Sequence, residues 1–442
     1  VSLWAHQKDA ITLGIHRGSA GIFHPPGSGK SRIICEILKQ LGREAYPVLI
    51  LTVVEQYEVW PVEMQKWLPG VRVRTAVAVS AKKRAHEVTL CAGVCVINYE
   101  SFYASRGMIA SRGFKTVVLD EAWRISNPAA KTTQAVQTYM EDAKHRFVLS
   151  PWPTRKALKD VFSLVRFVDL GESLGKSSSG FNHTYMIPHP AGFGWLVRSG
   201  ADKEVARKIS SCCSIAHDQD IKGYTGVPDP VYSTISVKLR DEDKERYDLI
   251  VDEWQSGEEE ILGAGVKYLR TLQASSGVFE GQFDPGFPKT RELVNQIKLI
   301  GDDEKIIVYG WFRPEIFGLS EVITAETGRP VMIAVGGMTE SMGKLLQRWR
   351  ETTGAVLVCQ SAKTAGWHAH EARHCFFHSQ PPTAMQRFQA IRRLSRPPQK
   401  RIVRVVDLVS RETLDRDVLD GLKTQRDFMD TFRRLVGQRQ NR

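Results

Sequence analysis

The stretch HPPGSGKS, residues 24–31, lies between a short apolar run, Ser19–His24, and the helical pattern SRIICEILKQL. Few segments restrict a fold more. A strand that leaves through a Gly-rich turn and re-enters as a helix aims the turn's N–H groups and the helix N-terminus at one point, which suits phosphate. Gly27 and Gly29 permit the tight turn and, with Ser28, present backbone N–H groups to phosphate oxygens. Lys30 can reach the β and γ phosphates, and Ser31 can place its hydroxyl on Mg²⁺. One position departs from the usual pattern, since His24 stands where a Gly or Ala is common.

That turn needs a parallel sheet around it, and the chain supplies the strands. Apolar runs recur at 47–53, 93–99, 116–122 and 145–150, separated by helical patterns. The alternation returns near Glu304, with EKIIVYGW, PVMIAV, AVLVCQ, HCFFHS and RIVRVVDLV. Continuous apolar runs alternating with helices indicate α/β units with sheets covered on both faces. At 442 residues the chain exceeds one ordinary core. The expected domains are a first lobe over 1–200, a connector and helical start of the second lobe over 201–285, and a second lobe over 286–442. The Gly, Ser and Pro content of 175–194 reads as a loop or insertion. No run approaches the roughly 18 apolar residues of a membrane span. The opening VSLWAHQKDAITLGIHRG lacks the pattern of a secretory leader and reads as a first helix. Seven cysteines without CxxC spacing read as buried, reduced thiols.

A phosphate loop implies an acidic partner at a neighbouring strand end, and FKTVVLDEAW (114–123) provides it. Asp120 would hold Mg²⁺ through its water shell, while Glu121 would orient and deprotonate an attacking water. Arg393 and Arg396 in QAIRRLSR, read as one face of a helix, could balance charge on the γ-phosphate of ATP; Arg392 reads as merely solvated. Net charge is +12, and residues 390–442 hold fourteen Lys/Arg against seven Asp/Glu. Such an excess points to a polyanion, most often nucleic acid.

In this order the motifs resemble the superfamily-two helicases and, within them, Swi/Snf-type DNA translocases. Trp4-Ala5-His6-Gln7 is similar to the adenine-reading motif, with Gln7 on the base edge. HPPGSGKS, LILTVVEQYEVWPVEMQKWLPG, VINYESF, LDEAWRISNPAAKTTQAV and FVLSPWPTRKALKD follow the group's succession, as do EKIIVYGWF and QAIRRLSR in the second half. TAGWHAHEARHCFFHS falls where a further motif is expected, with Gly366 on its glycine and His368 where Asn is common. The resemblance implies two RecA-like lobes, Mg-ATP hydrolysis, and double-stranded DNA held by phosphate contacts, in the cytoplasm of a bacterial or phage-infected cell. RNA or a strand-separating helicase is the alternative. Trp123 replaces a common His, Ser150-Pro151-Trp152-Pro153 replaces a TGTP-like motif, and Ser395 replaces another His. The first two departures fall on the relay that couples the ATP site to movement, and suggest an ATPase-impaired binding module as a further alternative.

One pattern competes. His370-Glu371-Ala372-Arg373-His374 fits the HExxH of zinc proteases, which requires both imidazoles on one helix. A strand-like CFFHS follows at once, so these residues read as loop histidines near the nucleotide cleft. The Trp-rich YEVWPVEMQKW (57–67) reads as core rather than as a base-stacking surface. Arg433, Arg434, Arg439 and Arg442 could grip phosphates or belong to a solvated tail.

Overall fold

Five strands of the first half are each buried along their whole length or nearly so, which is what a sheet covered on both faces demands of its sequence. The structure, a computed structural model, describes residues 2–154, 157–188, 195–256, 264–338, 340–361 and 367–437. Its contacts divide the chain into two compact units, 1–224 with 425–442, and 225–424.

In the first unit β1 (Ser19–Phe23), β2 (Val48–Thr52), β3 (Val73–Thr75), β4 (Val94–Asn98), β5 (Thr116–Leu119) and β6 (His145–Ser150) are followed by a hairpin, β7 (Met186–Pro188) with β8 (Trp195–Val197), and by β9 (Cys213–Ile215). All but the hairpin form one parallel sheet in the order β3-β4-β2-β5-β6-β1-β9. Alternate residues face opposite ways. Leu49, Leu51, Ile97, Val117 and Leu119 pack with Phe102, Phe162 and Phe167. Val48, Ile50, Val96, Val118 and Leu149 pack with Ile33, Ile37 and Leu38 of the helix Lys30–Leu41. Each such aliphatic side chain contributes roughly 1.5–3 kcal/mol by leaving water.

The second unit repeats the plan. β10 (Val231–Val237), a small hairpin of β11 (Val278–Phe279) with β12 (Gln282–Phe283), β13 (Ile306–Gly310), β14 (Val331–Ala334), β15 (Val356–Gln360), β16 (His374–Phe377) and β17 (Arg404–Ser410) follow in sequence. Its sheet is parallel throughout, in the order β10-β17-β16-β13-β15-β14. Ile307, Tyr309, Leu357 and Phe377 serve one face, and Ile306, Val308, Val358 and Phe376 the other. The two-sheet α/β architecture is therefore the one expected. The stretch read as a connector, 201–285, contributes β9 to the first sheet and β10 to the second.

Two local readings change. Residues 178–185 are a helix, not a loop: Ser177 accepts from Gly180 N, and Phe181 and Tyr185, one turn apart, bury their rings with centroids 4.8 Å apart. Six residues of that reading, 189–194, lie outside the described residues. The helix Ala384–Leu394 ends before Arg396, so Arg393 and Arg396 do not share a helical face. Ser395 closes it and Pro397-Pro398 cannot extend it. His374 begins β16, where the strand-like HCFFHS places it.

No described helix is long and apolar enough to cross a membrane. All seven cysteines are buried, and none is in a disulfide.

Candidate nucleotide site

Parallel order brings the ends of β1, β2, β5 and β6 to the same edge, the edge where α/β proteins bind ligands. The loop after β1 turns through left-handed Gly27 (φ +83°) and Gly29 (φ +81°), the second capping the helix Lys30–Leu41. A Cβ at Gly27 would meet nothing within 4 Å, so its surroundings are open, whereas one at Gly29 would lie 2.4 Å from Gln7 Nε2. Gln7 is the reason: its Nε2 donates to Ser28 O at 2.9 Å and its Oε1 accepts from Trp4 N at 3.0 Å. His6 Nε2 meets the same carbonyl at 3.0 Å. The segment expected to read adenine thus braces the loop's backbone. His24, at the loop's first position, is buried with Nε2 2.9 Å from Ser214 Oγ of β9. Lys30 Nζ donates to His24 O at 2.9 Å and to Pro25 O at 3.3 Å.

The acidic pair follows β5. In the register of β2 with β5, Leu51 faces Leu119, so Thr52 comes level with Asp120. Asp120 Oδ2 accepts from Thr52 Oγ1 at 3.1 Å and Trp60 Nε1 at 3.0 Å, and its Oδ1 accepts from Glu121 N at 3.0 Å. Tyr99 donates to Asp120 O at 2.8 Å. Burial and the Glu121 charge push the Asp120 carboxyl up to about 6, against the pull of Trp60, Lys30 and Thr52. Desolvation wins even with donors in place. Glu121 holds a left-handed backbone (φ 48°), uncommon outside glycine, a local strain of order 1 kcal/mol. Its Oε1 accepts from Gln56 Nε2 at 3.0 Å and its Oε2 from Trp123 Nε1 at 2.7 Å.

The structure therefore gathers Gln7, Gly27, Ser28, Gly29, Lys30, Asp120 and Glu121 at one edge, with Ser31 in the first turn of the helix that follows the loop. It adds Thr52, Gln56 and Trp60, which reach the pair because β2 lies beside β5, and Trp123, which reaches Glu121 from the turn just after β5. The Trp-rich helix Val59–Trp67 is core at Trp60 and Met64, as read, and its buried indole also serves the site. Ser150, the last residue of β6, and Trp152 and Thr154 in the loop after it are buried.

In the second unit Arg393 is buried, donating through Nη1 to Trp367 O at 2.9 Å and accepting from Ala369 N at 2.9 Å. Arg393 and Arg396 both bear on His368, whose pKa is lowered to about 3 by desolvation first and then by Arg396 and Arg393. Arg392 is half-buried, its guanidinium 5.1 Å from the Phe388 ring, rather than fully solvated. Gly366 lies outside the described residues, as do Arg439, Arg442 and the side chains of Arg433 and Arg434. The HExxH residues begin in a turn at His370 and enter β16 at His374, so no helix presents both imidazoles to one ion. Among the described residues no group of three or more His, Cys, Asp or Glu could hold a metal.

A parallel sheet whose edge joins a Gly-rich loop, its lysine and an acidic pair has the make-up of a nucleotide-binding α/β protein. The chain belongs to the SNF2-related domain family, which matches residues 12–275. Protein p41 of Acyrthosiphon pisum secondary endosymbiont phage 1 is 23% identical over 317 residues, covering 64% of this chain and 67% of that protein. DNA excision repair protein ERCC-6 of Mus musculus is 25% identical over 256 residues, 53% of this chain but only 17% of that protein. The Sulfolobus solfataricus SWI2/SNF2 ATPase core, solved in complex with dsDNA, has a TM-score of 0.47 at 19% identity, covering 99% of this chain and 94% of that one. The fold assignment rests on the strand orders above and not on this likeness.

Proposed function

We propose that this chain hydrolyses ATP and uses the cycle to move along double-stranded DNA. The observation that carries this reading is geometric: the Gly27–Gly29 loop with Lys30 follows β1 and the Asp120–Glu121 pair follows β5, at the same edge of one parallel sheet. The residues fit a nucleotide triphosphate. Gly27 leaves open space, and Lys30 rests on two loop carbonyls that phosphate oxygens can replace. The backbone of Gly27, Ser28 and Gly29 and the Lys30 ammonium would hold the phosphates. Ser31 and Asp120 would hold Mg²⁺, which supplies positive charge to the phosphate oxygens. Glu121 would take a proton from the attacking water as that water's oxygen bonds the γ-phosphorus and the bond from phosphorus to the bridging oxygen breaks, ADP leaving with the electron pair. Gln7, its amide engaged at both ends, would set the loop's shape. Arg393 and Arg396 would neutralise charge on the transferred phosphoryl group.

The partner follows from the charge and the family. A net +12 suits a phosphate backbone, and the ERCC-6 relative is by name a DNA excision repair protein. The test is ATP turnover measured with duplex DNA, single-stranded DNA, RNA or no nucleic acid, at two salt concentrations. Duplex DNA should stimulate most, and stimulation should fall steeply with salt, because each phosphate contact releases a counterion. Greater stimulation by single strands or RNA would reverse the substrate assignment. A strand-separating output is the second reading, and one observation favours it: the β7–β8 hairpin exposes Ile187, Trp195, Leu196 and Val197, side chains able to wedge between bases. Displacement of a labelled strand distinguishes the two.

The Asp120 pKa gives a second expected result. With a value of about 6, a proton competes with Mg²⁺ below that pH. Mg-dependent nucleotide affinity should hold steady above pH 7 and fall about tenfold per unit below pH 6. Affinity without Mg²⁺ should follow a flatter profile. A Mg-dependent affinity unchanged down to pH 5 would remove Asp120 from that role.

A further inference from the structure

Trp123 occupies the place where the resembling group commonly has His, and the structure shows what it touches. Its indole Nε1 donates to Glu121 Oε2 at 2.7 Å, the shorter of the two side-chain hydrogen bonds described for that carboxylate. The other oxygen, Oε1, takes Gln56 Nε2 at 3.0 Å. The indole is held from behind: the Arg124 guanidinium lies 5.6 Å from the Trp123 ring centroid, and Arg124 is ion-paired with Glu100, which in turn accepts from Asn98 Nδ2 at 2.8 Å. Asn98 ends β4, two strands along the sheet from β5, so the indole's position is referred back to the sheet itself.

The geometry points to Trp123 and Gln56 as the positioning residues of Glu121, a two-donor clamp that sets the direction of its carboxylate. Such a clamp has a use here. Glu121 stands just past a strand end on a strained left-handed backbone, and its side chain has three rotatable bonds. Each oxygen keeps a further lone pair once its donor is in place, so the clamped carboxylate can still receive a proton from water. Hydrogen bonds to an ionised group are also among the stronger ones. An imidazole can be donor or acceptor according to its tautomer, whereas an indole N–H only donates. Trp123 can therefore serve an acceptor such as a carboxylate and can never accept a hydrogen bond from a neighbouring donor. The His-to-Trp departure, on this account, secures the base.

This inference rests on Glu121 being the base, and the experiment separates the two. ATP turnover is measured with the full chain and duplex DNA for Trp123→Phe, Trp123→His, Gln56→Ala, Glu121→Gln and the double variant Trp123→Phe/Glu121→Gln. Trp123→Phe keeps a ring over Arg124 and removes the donor. Its kcat should fall about tenfold, the worth of one hydrogen bond to a charged group, with KM for ATP within about twofold. Trp123→His restores an N–H and should recover most of the loss. Gln56→Ala, on a half-buried 3₁₀ turn, should lower kcat in the same direction and keeps the test decisive if the tryptophan variants misfold. In the Glu121→Gln background the Phe change should add less than about twofold, since the carboxylate it positions is gone. An unchanged kcat in both Trp123→Phe and Gln56→Ala overturns the clamp while leaving the base intact, as does an equal loss from Phe in both backgrounds or a loss that His does not recover. Undiminished turnover in Glu121→Gln removes the base, and the clamp with it.

Discussion

A Glu121→Gln chain should bind Mg-ATP with nearly its usual affinity and turn it over about 10²–10⁴-fold more slowly, the range by which a well-placed general base accelerates a reaction. The new amide keeps one acceptor, and Trp123, which can only donate, dictates that this oxygen faces the indole. Gln56 can turn its own amide and offer its oxygen to the new NH₂ group, so the contact at 3.0 Å survives with its polarity reversed. Side-chain volume and backbone are unchanged, and Asp120 retains Thr52, Trp60 and the residue 121 N–H as donors. What disappears is a group able to take the water's proton. Equilibrium binding of a fluorescent nucleotide and single-turnover hydrolysis, measured on the same preparation, separate the two quantities. A drop of less than tenfold in the single-turnover rate would remove Glu121 from the base role. Lost binding with an intact rate would point to a carboxylate that holds the nucleotide instead.

The prominence of that edge in the sequence has a physical source. Buried parallel strands must be apolar on both faces, so β1, β2, β4, β5 and β6 appear as unbroken apolar runs. A phosphate loop needs its glycines at fixed steps and its lysine beside the helix start, which leaves little freedom of spelling. The acidic pair is visible because charged residues directly after such a run mark the strand's exit. Other features had no such signature. β3 and β9 have three residues each, too short for a period to show. The helix at 178–185 is spelled with serines and glycine, and its two buried aromatics were the signal that could have revealed it. The donors that hold the acidic pair had no local signature, for a topological reason. Thr52 and Trp60 meet Asp120, and Gln56 meets Glu121, across some sixty residues of chain because β2 pairs with β5. Strand order is a property of the whole sheet, and no local pattern encodes it. Arg396 shows the converse error: the three-residue spacing was sound, but the helix stops at Leu394 ahead of two prolines.

The largest loss of stability is expected from Asp415→Ala, in the second unit and away from any group assigned to chemistry. Lys289, in the first turn of the helix Pro288–Lys298, is fully buried and its Nζ lies 2.5 Å from Asp415 Oδ2. Asp415 also accepts from Ser275 Oγ at 2.6 Å and Ser410 N at 3.0 Å, and Ser410 Oγ in turn donates to Ser275 O at 2.8 Å. This network ties the end of β17 to two helices. Paired charges in such a place add little net stability over an apolar substitute, because desolvation offsets attraction. Removing one partner is another matter, since it strands the other without water or counter-charge, at about 3–5 kcal/mol. The two partners are not equivalent. Asp415→Ala deprives an ammonium of its carboxylate and leaves Ser410 N without its acceptor, while Ser275 Oγ keeps Leu272 O at 3.0 Å. Lys289→Met leaves a carboxylate that still has two donors, and should cost less. For a unit of this size the Asp415 change should lower Tm by roughly 6–20 °C, at about 2–4 °C per kcal/mol. The double variant should cost less than the two single losses added together, because each single variant includes the penalty of its stranded partner. Urea unfolding followed by far-UV circular dichroism would measure all three. Equal single losses that add without coupling would show that the pair contributes packing volume rather than charge.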